Sequence, residues 1–392
     1  EKIQFLLETG ESITFIGACI LKCLVGSCEV NGYVIKEGTP SFTIFSPKTQ
    51  SLLSINHHES KTHNSTQPSV HPNLQSAMKQ TKCCVVEIIS MKSVDSGYNL
   101  HEKYPEMFFH SGYNPNYSIT GCYLIFSSLP ETLMLHIPKE WLAFGEKLLN
   151  NTGNVPIVIA CGQRKLGKST FCRWLLNFML NKFPKVAFLN LDLSQTEFSP
   201  VGMLDLNVIE QPVFGPPFTH LKLPDDARFM GELSPGNSPV TYIRQCFSLF
   251  QSYQSCFASE GIPLIINTMG WITGLGCEIH RHLFNFIPVT NVVSFVETEP
   301  CTLEYLDEPT SFPFIYTQGF KRLVPRANPT NTNILAVPWL NASKPSLAKA
   351  NRDSMLTFYF NSIFEQPCWP SCNSYQTGRF RVEKLSMQTP YS

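Results

Sequence analysis

The segment Gly162–Ser169 has the residue types and spacing of a Walker A loop, G-x-x-x-x-G-K-[ST]. Its glycines allow the backbone to wrap around a phosphate with the N–H groups pointing inward. Lys168 would then reach the β- and γ-phosphates of a nucleotide, and the Ser169 hydroxyl would be a ligand of Mg²⁺. The predicted nucleotide-contacting residues are Gly162, Gln163, Arg164, Lys165, Leu166, Gly167, Lys168, Ser169 and Thr170.

A carboxylate and an amide follow at the end of the next predicted strand. Asp192 could hold Mg²⁺, directly or through water, or accept a proton from an attacking hydroxyl. Gln195 could orient the phosphate or a water molecule, whereas an aspartate at a strand end can also simply cap a turn. The pattern D-x-x-Q without a following N-K-x-D argues against a GTPase. It favours an adenine nucleotide or a base-tolerant site.

A third group, Thr268, Gly270 and Trp271, follows the predicted strand Pro263–Ile266. In a parallel sheet this position lies at the carboxyl edge, beside the phosphate loop. A tryptophan there can stack on a nucleobase, or it can close the hydrophobic core. Both interpretations of Trp271 remain open from the sequence.

The elements around these residues alternate between strand and helix. The apolar run Ile157–Cys161 indicates a buried parallel strand, and the apolar residues after the loop recur at helical spacing. This alternation predicts an α/β fold, a parallel sheet flanked by helices in a P-loop kinase domain. The other predicted strands and helices are Val186–Leu191, Pro263–Asn267, Val289–Val296 and Ile334–Val337, with helices at Cys277–Phe286 and Ala348–Phe364.

Residues 1–150 predict a β-rich N-terminal domain. Its predicted strands are Ser12–Leu24, Glu29–Ile35 with a turn at Asn31-Gly32, Ser41–Phe45, Cys83–Ile89 and Ile119–Phe126. The polar segment 56–82 is predicted to be a flexible loop. The kinase domain is assigned to residues 151–365, and residues 366–392 are expected to begin a truncated C-terminal region.

Composition restricts the partners. The 392 residues carry no formal net charge, so any contact with RNA must be a local patch. The 14 cysteines lack zinc-ligand spacing and are typical of buried, reduced thiols in an intracellular protein. No apolar run is long enough to span a bilayer, which predicts no membrane partner.

Three strings resemble the polynucleotide 5′-hydroxyl kinase family, in particular its nucleolar branch that acts in pre-ribosomal RNA processing. They are DLSQTEFSP at Asp192–Pro200, PVFGPPFTH at Pro212–His220, and NTMGW at Asn267–Trp271. The resemblance covers most of residues 5–365 apart from the polar loop. The family's D-x-x-Q element falls on Asp192 and Gln195, and its T-x-G-W clasp falls on Thr268, Gly270 and Trp271. Ser194 stands where the family usually has glycine.

This resemblance implies an activity and a cellular setting. Members transfer the γ-phosphate of ATP, with Mg²⁺, to the 5′-hydroxyl of RNA or DNA. The nucleolar branch implies a nuclear, nucleolar protein that processes an internal transcribed spacer beside a HEPN-type endoribonuclease. The family's arginine-bearing lid best matches Arg352, with Arg322 and Arg326 as a second candidate pair. The alternatives are a catalytically silent ATP-binding scaffold and a small-molecule P-loop kinase.

Overall fold

The structure is a computed structural model that describes most of the chain before residue 296. The described residues are 1–59, 70–78, 82–91, 117–125, 134–150, 153, 155–295 and 333–337, together with Arg352, Met355, Leu356 and Tyr359.

The first sheet is antiparallel and is organised around one long strand, β2. Its elements are β1 (Lys2–Glu8), β2 (Ser12–Val25), β3 (Ser27–Val30), β4 (Tyr33–Lys36), β5 (Phe42–Ser46), β6 (Ser54–His57), α1 (Pro72–Met78), β7 (Cys83–Ser90), β8 (Tyr117–Ile119) and β9 (Cys122–Ile125). The strand order is β1-β7-β2-β6-β3-β4, while β5 and β9 also pair with β2 and β8 pairs with β9. Strand β2 is buried along most of its length because both of its faces are covered. Ile13, Phe15 and Leu21 on one face belong to the main core of this sheet, and Ile16 and Ala18 on the other face belong to two smaller clusters.

The strands predicted before residue 90 are confirmed to within a few residues, including the turn at Asn31-Gly32. Two predicted segments differ in detail from the structure. Within the predicted strand Ile119–Phe126, β9 covers Cys122–Ile125, and Ile119 is the last residue of β8 because Gly121 turns the chain at φ +82°. The segment 56–82, expected to be a flexible loop, contains the end of β6 and all of α1. Val70 and Leu74 pack against Val85 of β7, which gives α1 an apolar anchor.

The second sheet holds the P-loop. Its elements are α2 (Lys139–Asn150), β10 (Ile157–Gly162), α3 (Lys168–Met179), β11 (Val186–Asn190), β12 (Met203–Ile209), β13 (Asp226–Phe229), α4 (Pro239–Cys256), β14 (Leu264–Asn267), α5 (Leu275–Phe286), β15 (Asn291–Phe295) and β16 (Asn333–Val337). The order is β13-β12-β11-β14-β10-β15-β16. The five strands from β11 to β16 along this order are parallel, and β12 and β13 are antiparallel.

This arrangement confirms the predicted α/β fold, but the sequence prediction missed β12, β13 and α4. In β12 the buried leucines alternate with the buried polar residues Asp205 and Asn207. This pattern does not look like the continuous apolar run of a buried strand. Helix α4 starts directly after a Pro-, Gly- and Ser-containing turn and is rich in serine and glutamine. The predicted helix Ala348–Phe364 and the tail 366–392 lie largely or wholly outside the described residues.

Helices cover both faces of the second sheet. On one face α4 and α5 pack against Ile159, Leu189 and Leu204. On the other, α2 and α3 pack against Val158 and Phe188. Trp141 of α2 lies in this second core, 5.0 Å from the Phe171 ring of α3. Helix α2 therefore packs with the P-loop sheet, although it precedes the predicted boundary at residue 150.

The two sheets meet where the β3–β4 turn docks on α3. Asn177 lies in the last turn of α3, and Asn181 lies in the turn that directly follows the helix. The Asn177 side chain donates to the Asn31 carbonyl at 3.1 Å, and the Asn181 side chain donates to the Gly32 carbonyl at 2.8 Å. A methyl group on Gly32 would lie 2.9 Å from the Trp174 ring, so only glycine allows this approach.

Two further expectations can be examined in the described residues. Every described cysteine is a free thiol, and all but Cys256 and Cys277 are buried. None of the described helices is both long and apolar enough to cross a membrane.

Candidate active site

The phosphate loop connects β10 to α3 through two left-handed residues. Gly162 lies against β15, where an added Cβ would come within 2.0 Å of the Phe295 carbonyl oxygen. The Gln163 N–H donates to that oxygen at 3.1 Å, which fixes the start of the loop. Lys165 (φ +66°) and Gly167 (φ +96°) then curl the chain so that α3 begins at Lys168.

The curled loop leaves its backbone donors available for an anion. In the described part of the chain, the N–H groups of residues 164–167 donate to no partner. They lie at the N-terminus of α3, where the helix dipole also favours negative charge. The Lys168 ammonium closes across the loop and donates to the Gln163 carbonyl at 2.6 Å. Burial lowers the pKa of Lys168, and the nearby Asp192 carboxylate acts in the opposite direction.

Asp192 both caps a turn and presents a carboxylate oxygen. Its Oδ1 accepts the Ser194 N–H at 2.8 Å, the Ser194 hydroxyl at 2.7 Å and the Gln195 N–H at 3.2 Å. No described residue forms a hydrogen bond with its Oδ2. The small hydroxyl residue at 194 thus helps to hold Asp192, while Gln195 is exposed on the same loop.

A buried polar network, which sequence reasoning missed, lies behind Ser169. The Asn267 amide, at the end of β14, donates to Ser169 Oγ at 3.5 Å and to Asn190 Oδ1 at 3.4 Å. The Asn190 amide donates to Asp205 Oδ2 at 3.3 Å. Burial raises the pKa of Asp205 to about 7, although Ser199, Asn190 and Asn207 donate to its carboxylate. The only sequence signal was an asparagine at each of two adjacent strand ends.

A second buried cluster joins two of the strings that carry the family resemblance. Arg173 of α3 forms a bidentate ion pair with Glu197, at 2.7 and 3.1 Å. The His220 Nε2 lies 2.9 Å from the same carboxylate. Burial alone would raise the pKa of Glu197, but Arg173 and His220 together lower it to about 2. The loop after Asp192 is thereby attached to the P-loop helix.

The predicted clasp residues lie against the phosphate loop but differ in exposure. Thr268 is fully buried and donates to the Ala160 carbonyl at 2.8 Å, so it fixes the end of β14 and has no surface for substrate. Gly270 packs directly on the loop, because a Cβ there would lie 2.4 Å from Arg164 Cγ. Trp271 is half-buried, with its ring over Gly276 of α5. It therefore helps to close the core and is also partly exposed.

A buried histidine supports the clasp. His280 of α5 donates from Nδ1 to the Gly276 carbonyl at 2.8 Å, and its Nε2 lies 3.2 Å from the Thr268 hydroxyl. Burial chiefly lowers the pKa of His280 to about 4, so the imidazole is neutral at pH 7. The histidine gives the clasp a fixed, uncharged support behind Lys168.

Of the predicted lid residues, Arg352 is among the described residues. Arg352 is half-buried in helical backbone, and no described contact joins it to the phosphate loop. Met355, one turn further on, packs against Phe45 and Phe218. Arg322 and Arg326 lie outside the described residues.

The site fits a nucleoside triphosphate with Mg²⁺. The unpaired loop amides and Lys168 suit phosphate oxygens. The Ser169 hydroxyl and the free oxygen of Asp192 are the oxygen donors that Mg²⁺ uses alongside phosphates and water. Among the residues that the structure describes, there is no cluster of three or more histidine, cysteine or acidic side chains that could hold a metal by themselves. Fold and loop together place the protein in the P-loop nucleotide-binding class.

Comparison with known proteins defines the family. The description "Polynucleotide 5′-hydroxyl-kinase NOL9, N-terminal domain" matches residues 2–93, and "mRNA cleavage and polyadenylation factor CLP1 P-loop" matches residues 162–330. The chain is 32% identical over 315 residues to polynucleotide 5′-hydroxyl-kinase NOL9 of Homo sapiens, covering 74% of this chain and 44% of that protein. For nol9 of Dictyostelium discoideum the identity is 29% over 323 residues, covering 76% and 47%. The chain belongs to the polynucleotide 5′-hydroxyl-kinase family of NOL9 and Grc3.

Solved structures support the fold, and the alignments show how much of the related proteins this chain matches. A structure of the wild-type Clp1p–Pcf11p complex matches with a TM-score of 0.51 at 13% identity, covering 92% of this chain and 73% of that one. The chain spans less than half the length of the NOL9 relatives it matches.

Proposed function

We propose that this chain is an ATP-dependent polynucleotide kinase that transfers the γ-phosphate to the 5′-hydroxyl end of RNA. The observation that carries the proposal is the juxtaposition of a complete phosphate loop with the Asp192 carboxylate. Asp192 lies close enough to Lys168 to oppose the lowering of its pKa, and one of its oxygens is free of hydrogen bonds. The names of the similar proteins indicate a polynucleotide as the acceptor.

Different described residues bind the phosphates and accept the proton during phosphoryl transfer. The loop amides and the Lys168 ammonium bind the phosphate oxygens and offset charge in the transition state. The 5′-oxygen forms a bond to the γ-phosphorus as the bond from that phosphorus to the β,γ-bridging oxygen breaks, and ADP leaves. The hydroxyl proton passes to Asp192 Oδ2, the oxygen that the turn does not use. Gln195 is exposed beside it and orients the reacting groups.

Mg²⁺ would be held directly by the Ser169 hydroxyl and the phosphates, and through a water molecule by Asp192, so that Asp192 Oδ2 can accept the proton. When bound, it neutralises phosphate charge as a Lewis acid. The acceptor strand would lie over the clasp, with the exposed part of Trp271 stacking on the terminal base. Gly270 keeps this loop in contact with Arg164 of the phosphate loop. An arginine of the segment around Arg352 is proposed to close over the transferring phosphoryl group.

The proposed setting follows from the nucleolar branch of the family. There the kinase would act in the nucleolus on internal-transcribed-spacer fragments of pre-ribosomal RNA. A HEPN-type endoribonuclease would supply the 5′-hydroxyl ends. The β-rich region 1–150, the P-loop region 151–365 and the tail from residue 366 are proposed to be successive parts of the chain.

Transfer of labelled γ-phosphate from ATP to a 5′-hydroxyl oligoribonucleotide tests the proposal. The wild-type chain should label this acceptor but not the same oligonucleotide with a 5′-phosphate. Lys168→Met keeps the aliphatic stem and removes the charge, so it should abolish transfer and preserve the melting temperature. Asp192→Asn should retain ATP binding and lose transfer by orders of magnitude.

The same measurements address the alternative of a catalytically silent scaffold. A scaffold would bind ATP through the loop, and that binding would weaken in Lys168→Met. It would not label any acceptor at any Mg²⁺ concentration. Binding without transfer by the wild-type chain would therefore reject the kinase assignment.

A further inference from the structure

Asn267 occupies an unusual place for an amide. Its strand, β14, lies between β11 and the P-loop strand β10, and its side chain is fully buried behind the loop. The amide lies 3.5 Å from Ser169 Oγ. Its side-chain hydrogen bonds with described residues involve only Ser169, Asn190 and Cys172, and the mechanism above does not use it.

The hydrogen bonds of this cluster have one possible direction. Asn190 Nδ2 faces the Asp192 carbonyl at 3.3 Å, which can only accept, and Asp205 Oδ2 at 3.3 Å, which accepts from the Ser199 hydroxyl as well. Asn190 must therefore turn its Oδ1 towards Asn267, which receives a hydrogen bond at 3.4 Å. Asn267 must then present its Nδ2, with two hydrogens, to both Asn190 and Ser169. On its other side, Asn267 Oδ1 accepts from the Cys172 thiol at 3.9 Å.

Asp205 is the first residue in this series of hydrogen bonds. It is fully buried in β12, and its Oδ2 also accepts the Ser199 hydroxyl at 2.6 Å. Asn207 donates to its Oδ1. The Asp192 carbonyl, which can only accept, imposes the orientation of Asn190, and the Asp205 carboxyl holds the same amide from the other side.

The direction matters at Ser169, because a hydroxyl has one proton and two lone pairs. An N–H donated by Asn267 uses one lone pair and directs the Ser169 proton elsewhere. The second lone pair remains for a metal ion. A carboxylate at position 267 would do the opposite, since it can only accept the serine proton.

We propose that Asp205, Asn190 and Asn267 form a directional relay that positions the Ser169 hydroxyl as a metal ligand. Asn267 is the positioning residue, and Asp205 acts through it from outside the site. The inference rests on the proposed function in one respect only, the assignment of Ser169 to Mg²⁺. The relay should govern how Mg²⁺ strengthens nucleotide binding, and it should have little effect on metal-free ATP, which the loop amides and Lys168 hold.

Calorimetric binding of ATP with Mg²⁺ and with EDTA tests the relay in the full chain. Asn267→Leu removes both donated hydrogen bonds in a similar volume. The Mg²⁺ concentration that half-saturates the effect on ATP binding should rise by about three- to tenfold, the range expected for one lost hydrogen bond. ATP affinity in EDTA should stay within about twofold of the wild type. An equal loss with and without metal would indicate a general structural defect and overturn the proposal.

Asn177→Leu is the matched control. Asn177 is also a fully buried asparagine, on the helix that carries Ser169, but its side chain faces the first sheet. It should lower the melting temperature and leave the Mg²⁺ dependence unchanged. If Asn177→Leu shifts the Mg²⁺ dependence as much as Asn267→Leu, the effect reports a loosened helix, and the relay is rejected.

A double-mutant cycle tests the remote end. Asp205→Asn should raise the half-saturating Mg²⁺ concentration about twofold in the wild-type background and not at all when Asn267 is already leucine. Equal effects in both backgrounds would contradict action through Asn267. These are binding measurements, so they remain decisive if the wild-type chain transfers no phosphate, the result that would instead reject the proposed kinase activity.

Discussion

Replacing Glu197 by glutamine should destabilise the second sheet strongly. The Glu197 side chain is 2% exposed and accepts both hydrogen bonds of a bidentate pair with Arg173. Glutamine preserves the shape but leaves the Arg173 charge buried without a counterion. Removal of one partner from such a pair typically costs about 3–5 kcal/mol.

The pKa of Glu197 gives an independent magnitude. Against the desolvation caused by burial, Arg173 and His220 lower it from an ordinary 4.5 to about 2. This difference corresponds to about 3 kcal/mol of preference for the ionised form in the folded state. For a region of this size, the melting temperature at neutral pH should fall by about 6–12 °C.

The pH dependence has a definite sign. Because the pKa of Glu197 is lower in the folded than in the unfolded chain, its contribution is complete above pH 4.5 and is lost as the pH falls towards 2. The stability difference between wild type and Glu197→Gln should therefore be constant near neutral pH and shrink below pH 4.5. Urea unfolding at several pH values measures it.

A paired variant separates loss of charge balance from loss of packing. Arg173→Met combined with Glu197→Leu removes both charges and should recover much of the stability lost in Glu197→Gln. If Glu197→Gln melts within about 2 °C of the wild type at neutral pH, the ion pair contributes less than 1 kcal/mol and the reasoning fails.

Three further substitutions test other contacts. Gly270→Ala places a methyl group 2.4 Å from Arg164 Cγ. It should therefore displace the phosphate loop and weaken ATP binding about tenfold by calorimetry. Unchanged affinity would show that the loop accommodates the methyl group with no loss of binding. Trp271→Ala should weaken oligonucleotide binding by up to about a hundredfold and leave ATP affinity unchanged; a large fall in melting temperature with intact oligonucleotide affinity would assign Trp271 to the core alone. Gly32→Ala, with φ +88° and the Trp174 ring 2.9 Å away, should cost about 1–3 kcal/mol in urea unfolding without changing ATP affinity.

Local patterns carried most of what the sequence could predict. The strand, loop and helix around Lys168 follow from one motif and its apolar flanks. The position of Asp192 follows because parallel strands end at a common edge. The motif groups Thr268 with Gly270 and Trp271 in the clasp, yet the structure buries Thr268, whose hydroxyl donates to the Ala160 carbonyl. A motif identifies which residues recur together and not which of them face solvent.

The polar partners could not be predicted, because tertiary structure alone brings them together. Arg173 and Glu197 are 24 positions apart, and Glu197 and His220 are 23 apart. In the sequence each is an ordinary charged or polar residue near a loop. Asp205 lies in a strand where polar and apolar residues alternate, a pattern typical of a strand with one solvent-exposed face, although both faces are buried here. Burial and pairing, which decide what these side chains do, depend on packing between distant elements.

Helix α3 contacts both sheets. Its first residues continue the phosphate loop, and Asn177 in its last turn, with Asn181 just after its end, binds the β3–β4 hairpin. The two sheets should therefore unfold as one cooperative unit, with a single melting transition. Amide hydrogens in the first sheet and in α3 should exchange through the same opening event, with similar protection. Nucleotide bound at the loop would then slow exchange in β3 and β4, which do not touch it, because ligand binding stabilises the whole unit by mass action.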